Sequence, residues 1–408
     1  MTRANVLLLV FDSLSQRNLT RLSDAVPNLT ALAEGNLSFA NAYAPSPESG
    51  PARASLFTGL DMAAHGVWTD GIALPDHEVT LPERFAGAGY HTWLVGRRQL
   101  AGVSNWTTEH ARAHEYAHFD WAHGPLHRSR QNTYLAWLED TAPDQYARIF
   151  PRQANADDTV IPAEQRAAMA ALPDRLCFNH WAGQQALARL AEAPKDKPYF
   201  GIVGFVTGNT MGVPVVPGPC LETVSARALA QADMAIGVIV EAVKDDPNLI
   251  LAVTAARGSV RDRESVLQRD ALNVPLFLHG KTLKPNQLDD IVSTIDLAPT
   301  LYELAGVPPP PRIQGRSLLS EAPRGWALAR FRHSDATAQT ALVETQWKLI
   351  FAHGSAVERL YDMVADPSEQ SNLADDPAHQ NKLDEMLDMM IDARVALEDR
   401  TEPRIALF

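Results

Sequence analysis

Ser49 and Arg53 stand four residues apart in the stretch SGPARASLFTG. On a helix that spacing sets both side chains on one face. A hydroxyl and a guanidinium presented together can address one anion, the oxygen as nucleophile and the cation as the group that orients and neutralises it. The same pair would also serve as a helix N-cap serine and a surface cation, so spacing alone leaves both roles open. Two apolar runs end near residues of interest. NVLLLVF leads into Asp12, and LILAVTA leads into Ala256, Arg257 and Gly258. Strand ends are where α/β proteins collect their chemistry. The second of these ends offers no acid and no nucleophile, only a fixed positive charge.

A further cluster holds histidines. His110, His114 and His118 recur every four residues, which on a helix would stack them on one face. Asp120, His123 and His127 follow closely, so the segment is a candidate metal site. His65, Asp233, and the trio Asp366, Glu369 and Asn372 read as scaffold or turn residues. Cys177 and Cys220 imply no disulfide framework and read as ordinary thiols.

These residues need elements to hold them. Apolar runs at 5–11, 89–96, 199–206, 248–255 and 273–280 predict strands. Between them lie helical patterns: VPNLTALAEGNL, TVSARALAQADMAIGVIVEAVKDD and VSTIDLAPTLYELAG, the last closed by Gly306 and a proline run. Strands alternating with helices predict a largely parallel sheet covered on both faces. After residue 325 the pattern changes to short antiparallel strands, TALVETQWKLIFAHG and VERLYDM, and a closing amphipathic helix. The expected division is an α/β domain over 1–325 and a small α+β domain over 326–408.

Bulk composition narrows the partners. The chain has 408 residues and a formal net charge of -13. That acidity argues against nucleic acid and against an anionic membrane surface. The N-terminal apolar run is too short to span a bilayer and lacks a signal-cleavage pattern, so the expected location is cytoplasmic.

Several stretches, in order, resemble one family. NVLLLVFDSL is similar to the first strand of sulfatases and other hydrolases of the alkaline phosphatase superfamily, which ends in an Asp metal ligand. SGPARASLFTG resembles their signature, a Cys or Ser followed by Pro and Arg and then Thr-Gly. HGVWTDGIALPDHEVTLPERFAGAGYHTWLVG, STIDLAPTLYELAGVPPPPRIQGRSLL and LYDMVADPSEQSNLADDP continue the likeness, and HFDWAHG resembles a structural segment of the family. The resemblance implies an α/β fold with a central, mixed but largely parallel sheet flanked by helices, plus a small C-terminal α+β domain. It implies hydrolysis of sulfuric or phosphoric esters, with a divalent cation held by carboxylates and a nucleophile at Ser49. In the family that nucleophile is a formylglycine made from Cys or Ser, or an unmodified hydroxyl.

The site positions depart from that pattern. Asp12 matches the first metal carboxylate, but Ser13 stands where sulfatases often carry a second Asp. Arg97 and Gln99 replace a Lys and a His. Asn209 falls at another His, and Ala256 and Arg257 fall where two further metal ligands belong. No Lys precedes NVPLFL; Arg261, Arg263 and Arg269 are the nearest cations. The resemblance therefore implies an incomplete metal site, with calcium, magnesium or manganese short of ligands, and no other cofactor. Formylglycine at Ser49 is not expected. Arg257 is expected to replace the cation and pair with Asp12.

Three readings follow. One is a degenerate member that keeps an anion pocket built from Arg97, Gln99, Asn209 and Arg257, and takes a small anion or a sulfate or phosphate ester. Another is an atypical metal-independent hydrolase using Ser49 with Arg53, Arg97 and Arg257. The last is a noncatalytic subunit of an intact homologue. A homo-oligomer is equally compatible with the sequence.

Overall fold

The computed structural model describes residues 3–102, 107–151, 162–208, 225–260, 266–332, 338–354 and 357–397. Nine strands build the main sheet: β1 Asn5–Phe11, β2 Leu37–Tyr43, β3 His91–Gly96, β4 His118–Trp121, β5 Tyr199–Phe205, β6 Leu249–Ala255, β7 Asn273–Val274, β8 Leu276–His279 and β9 Asn286–Ser293. Their spatial order is β4-β3-β5-β1-β6-β8-β2-β7, with β9 beside β2. From β4 to β6 every pairing is parallel. Strand β8 runs antiparallel to both β6 and β2.

The central strands are buried on both faces, which explains their unbroken apolar runs. Every residue of β5 and β6 is buried, and in β1 only Asn5 is partly open. Ladder bonds continue past the strand ends. The Asp12 amide donates to the Phe205 carbonyl at 3.0 Å, and the Ala256 amide to Phe11 at 2.8 Å. The loops that follow β1, β5 and β6 are thus tied to one another.

Two expected elements are redrawn. The run NVPLFLHG is split into β7 and β8 around Pro275, which has no N–H for the ladder. The helix expected from residue 292 begins later: Val292 and Ser293 finish β9, a 3-10 turn covers Thr294–Asp296, and the α-helix is Leu297–Ala305. Gly306 closes it in the left-handed conformation at φ 63°.

A second sheet has four antiparallel strands: β10 Ala327–Arg332, β11 Ala338–Val343, β12 Trp347–Ala352 and β13 Val357–Asp362. The helix Gln380–Ala396 packs Leu383, Met386 and Met390 with Leu342, Leu349 and Leu360 of this sheet. Glu369 joins β12 to the helix Arg269–Leu272 that leads into β7. Its carboxylate accepts from Lys348 Nζ at 2.9 and 3.0 Å and from the Arg269 amide at 2.8 Å. Asp366 caps the same turn, accepting from the Gln370 and Ser371 amides at 2.6 and 2.8 Å. Asn372 accepts from the Leu360 amide at 2.9 Å. Asp233 is scaffold as expected, receiving the Asn28 and Leu29 amides at 3.3 and 2.8 Å at the start of the helix Pro27–Gly35. Among the described residues no helix is long and apolar enough to cross a membrane.

Candidate anion site

Strands β3, β5, β1 and β6 are adjacent and parallel, so their carboxyl ends open on one edge of the sheet. Asp12 follows β1 and is fully buried. Its Oδ1 accepts from the Thr207 amide at 2.8 Å, the Thr207 hydroxyl at 3.2 Å and the Gly208 amide at 3.3 Å. Its Oδ2 accepts from Arg97 Nη1 at 3.3 Å. Ser13 turns aside and donates to the Gly258 carbonyl at 2.8 Å.

The cation on Asp12 is therefore Arg97, and the expected Arg257–Asp12 pair is corrected. Arg97 lies two strands from Asp12 and reaches it across the end of β5. The backbone makes this approach feasible. Gly96 sits at φ 91°, where a Cβ would lie 2.3 Å from the Gly204 carbonyl oxygen. A Cβ on Gly204 would come within 2.7 Å of the Arg97 amide nitrogen. Two glycines facing each other let β3 turn tightly over β5 and carry Arg97 inward. Arg97 Nε also donates to the His123 carbonyl.

Arg257 engages a different partner. Its Nε donates to Ser49 Oγ at 2.9 Å, and its Nη1 leans toward the Gly258 carbonyl at 3.4 Å. The Leu14 amide bonds to the Arg257 carbonyl at 3.0 Å, which holds the residue against the loop after β1. Ser49 opens the helix Ser49–Thr58, all ten residues of which are buried. Arg53 lies one turn on, as the spacing predicts. It donates to the Arg97 carbonyl at 3.1 Å through Nη1, while its buried Nε and Nη2 have no partner among the described residues. Burial first, and then the neighbouring charge of Arg97, push the Arg53 guanidinium down to about 9; Asp12 and Glu109 oppose that shift.

An acidic flank completes the site. Asp70 Oδ1 accepts from the Gly50 amide at 2.6 Å and from Gln99 Nε2 at 3.2 Å. Gln99 adopts φ 59°, an uncommon left-handed conformation for a non-glycine residue. Glu109 holds it there, its carboxylate taking the Gln99 and Leu100 amides at 2.8 and 2.7 Å and the Trp121 indole at 3.1 Å. Glu48, just before Ser49, has its carboxyl pushed up to about 7, by burial first and then by the charge of Asp70. Glu48, Asp70, Glu109 and Thr207 carry no sequence signature; each is recognisable only by what it touches.

The remaining expected residues separate. Asn209, Cys220, Arg261 and Arg263 lie outside the described residues. Arg269 is at the junction of the sheets, bonding Asn41 Oδ1 at 3.0 Å. Residues 107–117 are irregular apart from one turn at 113–115 and form no helix, so His110, His114 and His118 do not share a helical face. His118 instead sits on β4, its Nδ1 2.8 Å from Arg189 Nη1. His123 borders the arginines, and burial followed by the charges of Arg97, His127 and Arg53 holds its ring well below the usual imidazole range. His65 is structural: Nδ1 accepts from the Val67 amide at 3.1 Å, so Nε2 carries the proton toward Ser55 Oγ at 2.9 Å.

Residues 4–307 match the Sulfatase family profile. The chain belongs to the sulfatase family. Residues 262–396 match the profile of the N-sulphoglucosamine sulphohydrolase C-terminal region. Similar relatives include Arylsulfatase K of Xenopus laevis, 24% identical over 96% of this chain and 83% of that one. Another is the uncharacterized sulfatase YidJ of Escherichia coli, 24% identical over 91% of this chain and 82% of its own length. Among solved structures, a phosphonate monoester hydrolase from Silicibacter pomeroyi superposes with a TM-score of 0.77 at 19% identity, covering 98% and 96% of the two chains. A 2-O GAG sulfatase gives 0.71 at 17% identity, covering 97% and 93%. These two likenesses establish the fold.

The described residues of this sulfatase-family site do not fit the divalent cation its family implies. Among the described residues no group of three or more His, Cys, Asp or Glu side chains could hold a metal. Both oxygens of Asp12 already accept from fixed donors, and the guanidinium of Arg97 stands on one of them. A hard cation needs six or more oxygens, whereas Arg97 pairs with Asp12 and Arg257 bonds Ser49 here.

Proposed function

We propose that this sulfatase-family chain has exchanged metal-dependent ester hydrolysis for metal-independent binding of a small oxyanion or its ester, a sulfate or phosphate ester, between Arg53, Arg97 and Arg257. The observation that carries the reading is the 2.9 Å bond from Arg257 Nε to Ser49 Oγ. A guanidinium engages the residue that would be the nucleophile, and it stands at a sequence position where the family places a metal ligand. The unpartnered nitrogens of Arg53 support the same reading, because a buried guanidinium with free N–H groups is costly until an anion fills the gap.

The test is metal analysis of the purified protein together with turnover of aryl sulfate and aryl phosphate, with and without calcium, magnesium or manganese. The reading expects no bound metal, no metal-dependent turnover and measurable binding of sulfate or phosphate. Metal-stimulated hydrolysis would overturn it. A second reading rests on the same bond: a cation on Ser49 Oγ would stabilise the alkoxide of an unmodified serine nucleophile. Metal-independent turnover abolished by Ser49→Ala would favour that reading, and the mass of the Ser49 peptide would reveal any formylglycine.

A further inference from the structure

A cavity of about 140 Å³ lies beside the end of β5. The helices Ala163–Ala170, Phe178–Glu192 and Ala226–Val243 converge on it with the segment that follows β5. Val206 and Gly208 of that segment line the cavity, while Thr207 between them sends its hydroxyl to Asp12 Oδ1 and the Ser13 carbonyl, at 3.2 and 2.6 Å. The segment is thus a wall, with the Asp12 carboxylate on one side and the cavity on the other. The polar side chains of the lining already have partners. Asn179 Nδ2 donates to the Val206 and Ala228 carbonyls at 2.9 and 2.8 Å, and its Oδ1 accepts from the Val206 amide at 3.0 Å. Tyr134 Oη donates to the Leu176 carbonyl at 2.9 Å, and Ser225 Oγ accepts from the Ala228 amide at 3.3 Å. Asp174 takes Arg227 Nη2 and Gln231 Nε2, both at 2.7 Å. What remains to meet a ligand is apolar: Pro125, Tyr134, Met169, Cys177, Phe178 and Val206. The Tyr134 and Phe178 rings stand edge to face, 5.3 Å between centroids.

We infer that this cavity is a binding site for one small uncharged aromatic molecule, separate from the anion pocket. Its size suits a single ring, since an apolar protein cavity of about 150 Å³ holds one benzene. Its lining suits an aromatic ring above an aliphatic one. Aromatic neighbours accept another ring edge to face or offset, and a thioether such as that of Met169 packs favourably against a ring. A charged ligand would lose its hydration there and find the polar groups among the described residues committed to one another. The inference stands whether or not Arg53, Arg97 and Arg257 hold an anion, because the cavity shares none of those side chains.

The experiment is NMR of the full chain with isotope-labelled methionine methyl groups, titrated with benzene and, separately, with benzoate. The Met169 methyl is the reporter, its signal assigned from the Met169→Leu variant. The expected result is a saturable ring-current shift of that signal as benzene reaches roughly millimolar concentration, with benzoate at least about tenfold weaker. Ala228→Phe plugs the cavity from the helix Ala226–Val243 and should abolish the benzene shift, with circular dichroism verifying the fold. Ala228→Leu is a smaller plug for the case in which the phenylalanine does not fold, and it should weaken benzene about tenfold. A Met169 signal unmoved by benzene in the unaltered chain would overturn the site. Benzoate binding as tightly as benzene would overturn its selectivity for an uncharged ring. A benzene shift that survives the folded plug variants at full strength would overturn its placement.

Discussion

Arg97 and Asp12 form a buried ion pair across two strands, 3.3 Å from Nη1 to Oδ2, with side chains 8% and 1% exposed. The pair spans the end of β5 and fixes the floor of the site. Removing one partner leaves the other charged and buried, whereas removing both spares that penalty. Arg97→Met should therefore destabilise the fold by about 3–5 kcal/mol, read by urea denaturation. Arg97→Met combined with Asp12→Asn should recover part of the loss. A single-variant loss below about 1 kcal/mol would mean that water solvates the pair.

Arg257 bonds Ser49 directly. Arg257→Ala should weaken phosphate or sulfate binding about tenfold or more with the fold retained, measured by calorimetric titration. Added calcium should not restore the affinity, because removing the arginine creates no oxygen ligands. Rescue by calcium would show that a metal site lies latent beneath the guanidinium.

His65 gives the fold an acid-sensitive element. Burial lowers its ring from 6.5 to about 3, so between those values the unfolded chain binds a proton that the native ring refuses. Stability then falls as pH drops through that window, by about 1.4 kcal/mol per unit from this group. His65→Gln removes the titration and should flatten the acid limb of stability against pH, measured by denaturant unfolding at several pH values. An unchanged slope would place the acid sensitivity elsewhere.

Lys348 and Glu369 are a second buried pair, 0% and 1% exposed. Burial lowers the Lys348 ammonium, and Glu369 pulls it back. Lys348→Met should cost about 3–5 kcal/mol by stranding Glu369. Because Glu369 also holds the Arg269 amide, hydrogen exchange should quicken at the start of the helix Arg269–Leu272 as well as in β12. Exchange confined to β12 would show that the carboxylate does not couple the sheets.

The sequence is most legible where one physical cause dominates. Strands β1, β5 and β6 stand out because burial on both faces demands unbroken apolar runs. The Ser49–Arg53 pair is legible because helical periodicity fixes it locally. Strands β2 and β9 are hidden, since LSFANAY and NQLDDIVS carry the polar residues that part-exposed strands tolerate. The partner of Asp12 is hidden for another reason. Arg97 reaches it only because β3, β5 and β1 are neighbours, and strand order in space does not follow chain order. The histidine spacing misleads because turns interrupt the segment and no helix forms. Glu369 reads as an ordinary turn residue because its partners, Lys348 on β12 and the Arg269 amide at the start of the helix Arg269–Leu272, come from distant parts of the chain.

The bond from Arg257 to Ser49 has a consequence for supply. A coordinated ion must be acquired after folding, and its occupancy follows the medium, chelators and competing metals. A guanidinium is installed at translation, one per chain, and cannot be stripped or exchanged. Its charge is also single and planar, without vacant coordination positions at which water could be activated. On the reading proposed above, such a pocket would have the same charge in a calcium-poor and a calcium-rich medium, at the expense of any chemistry that needs a Lewis acid.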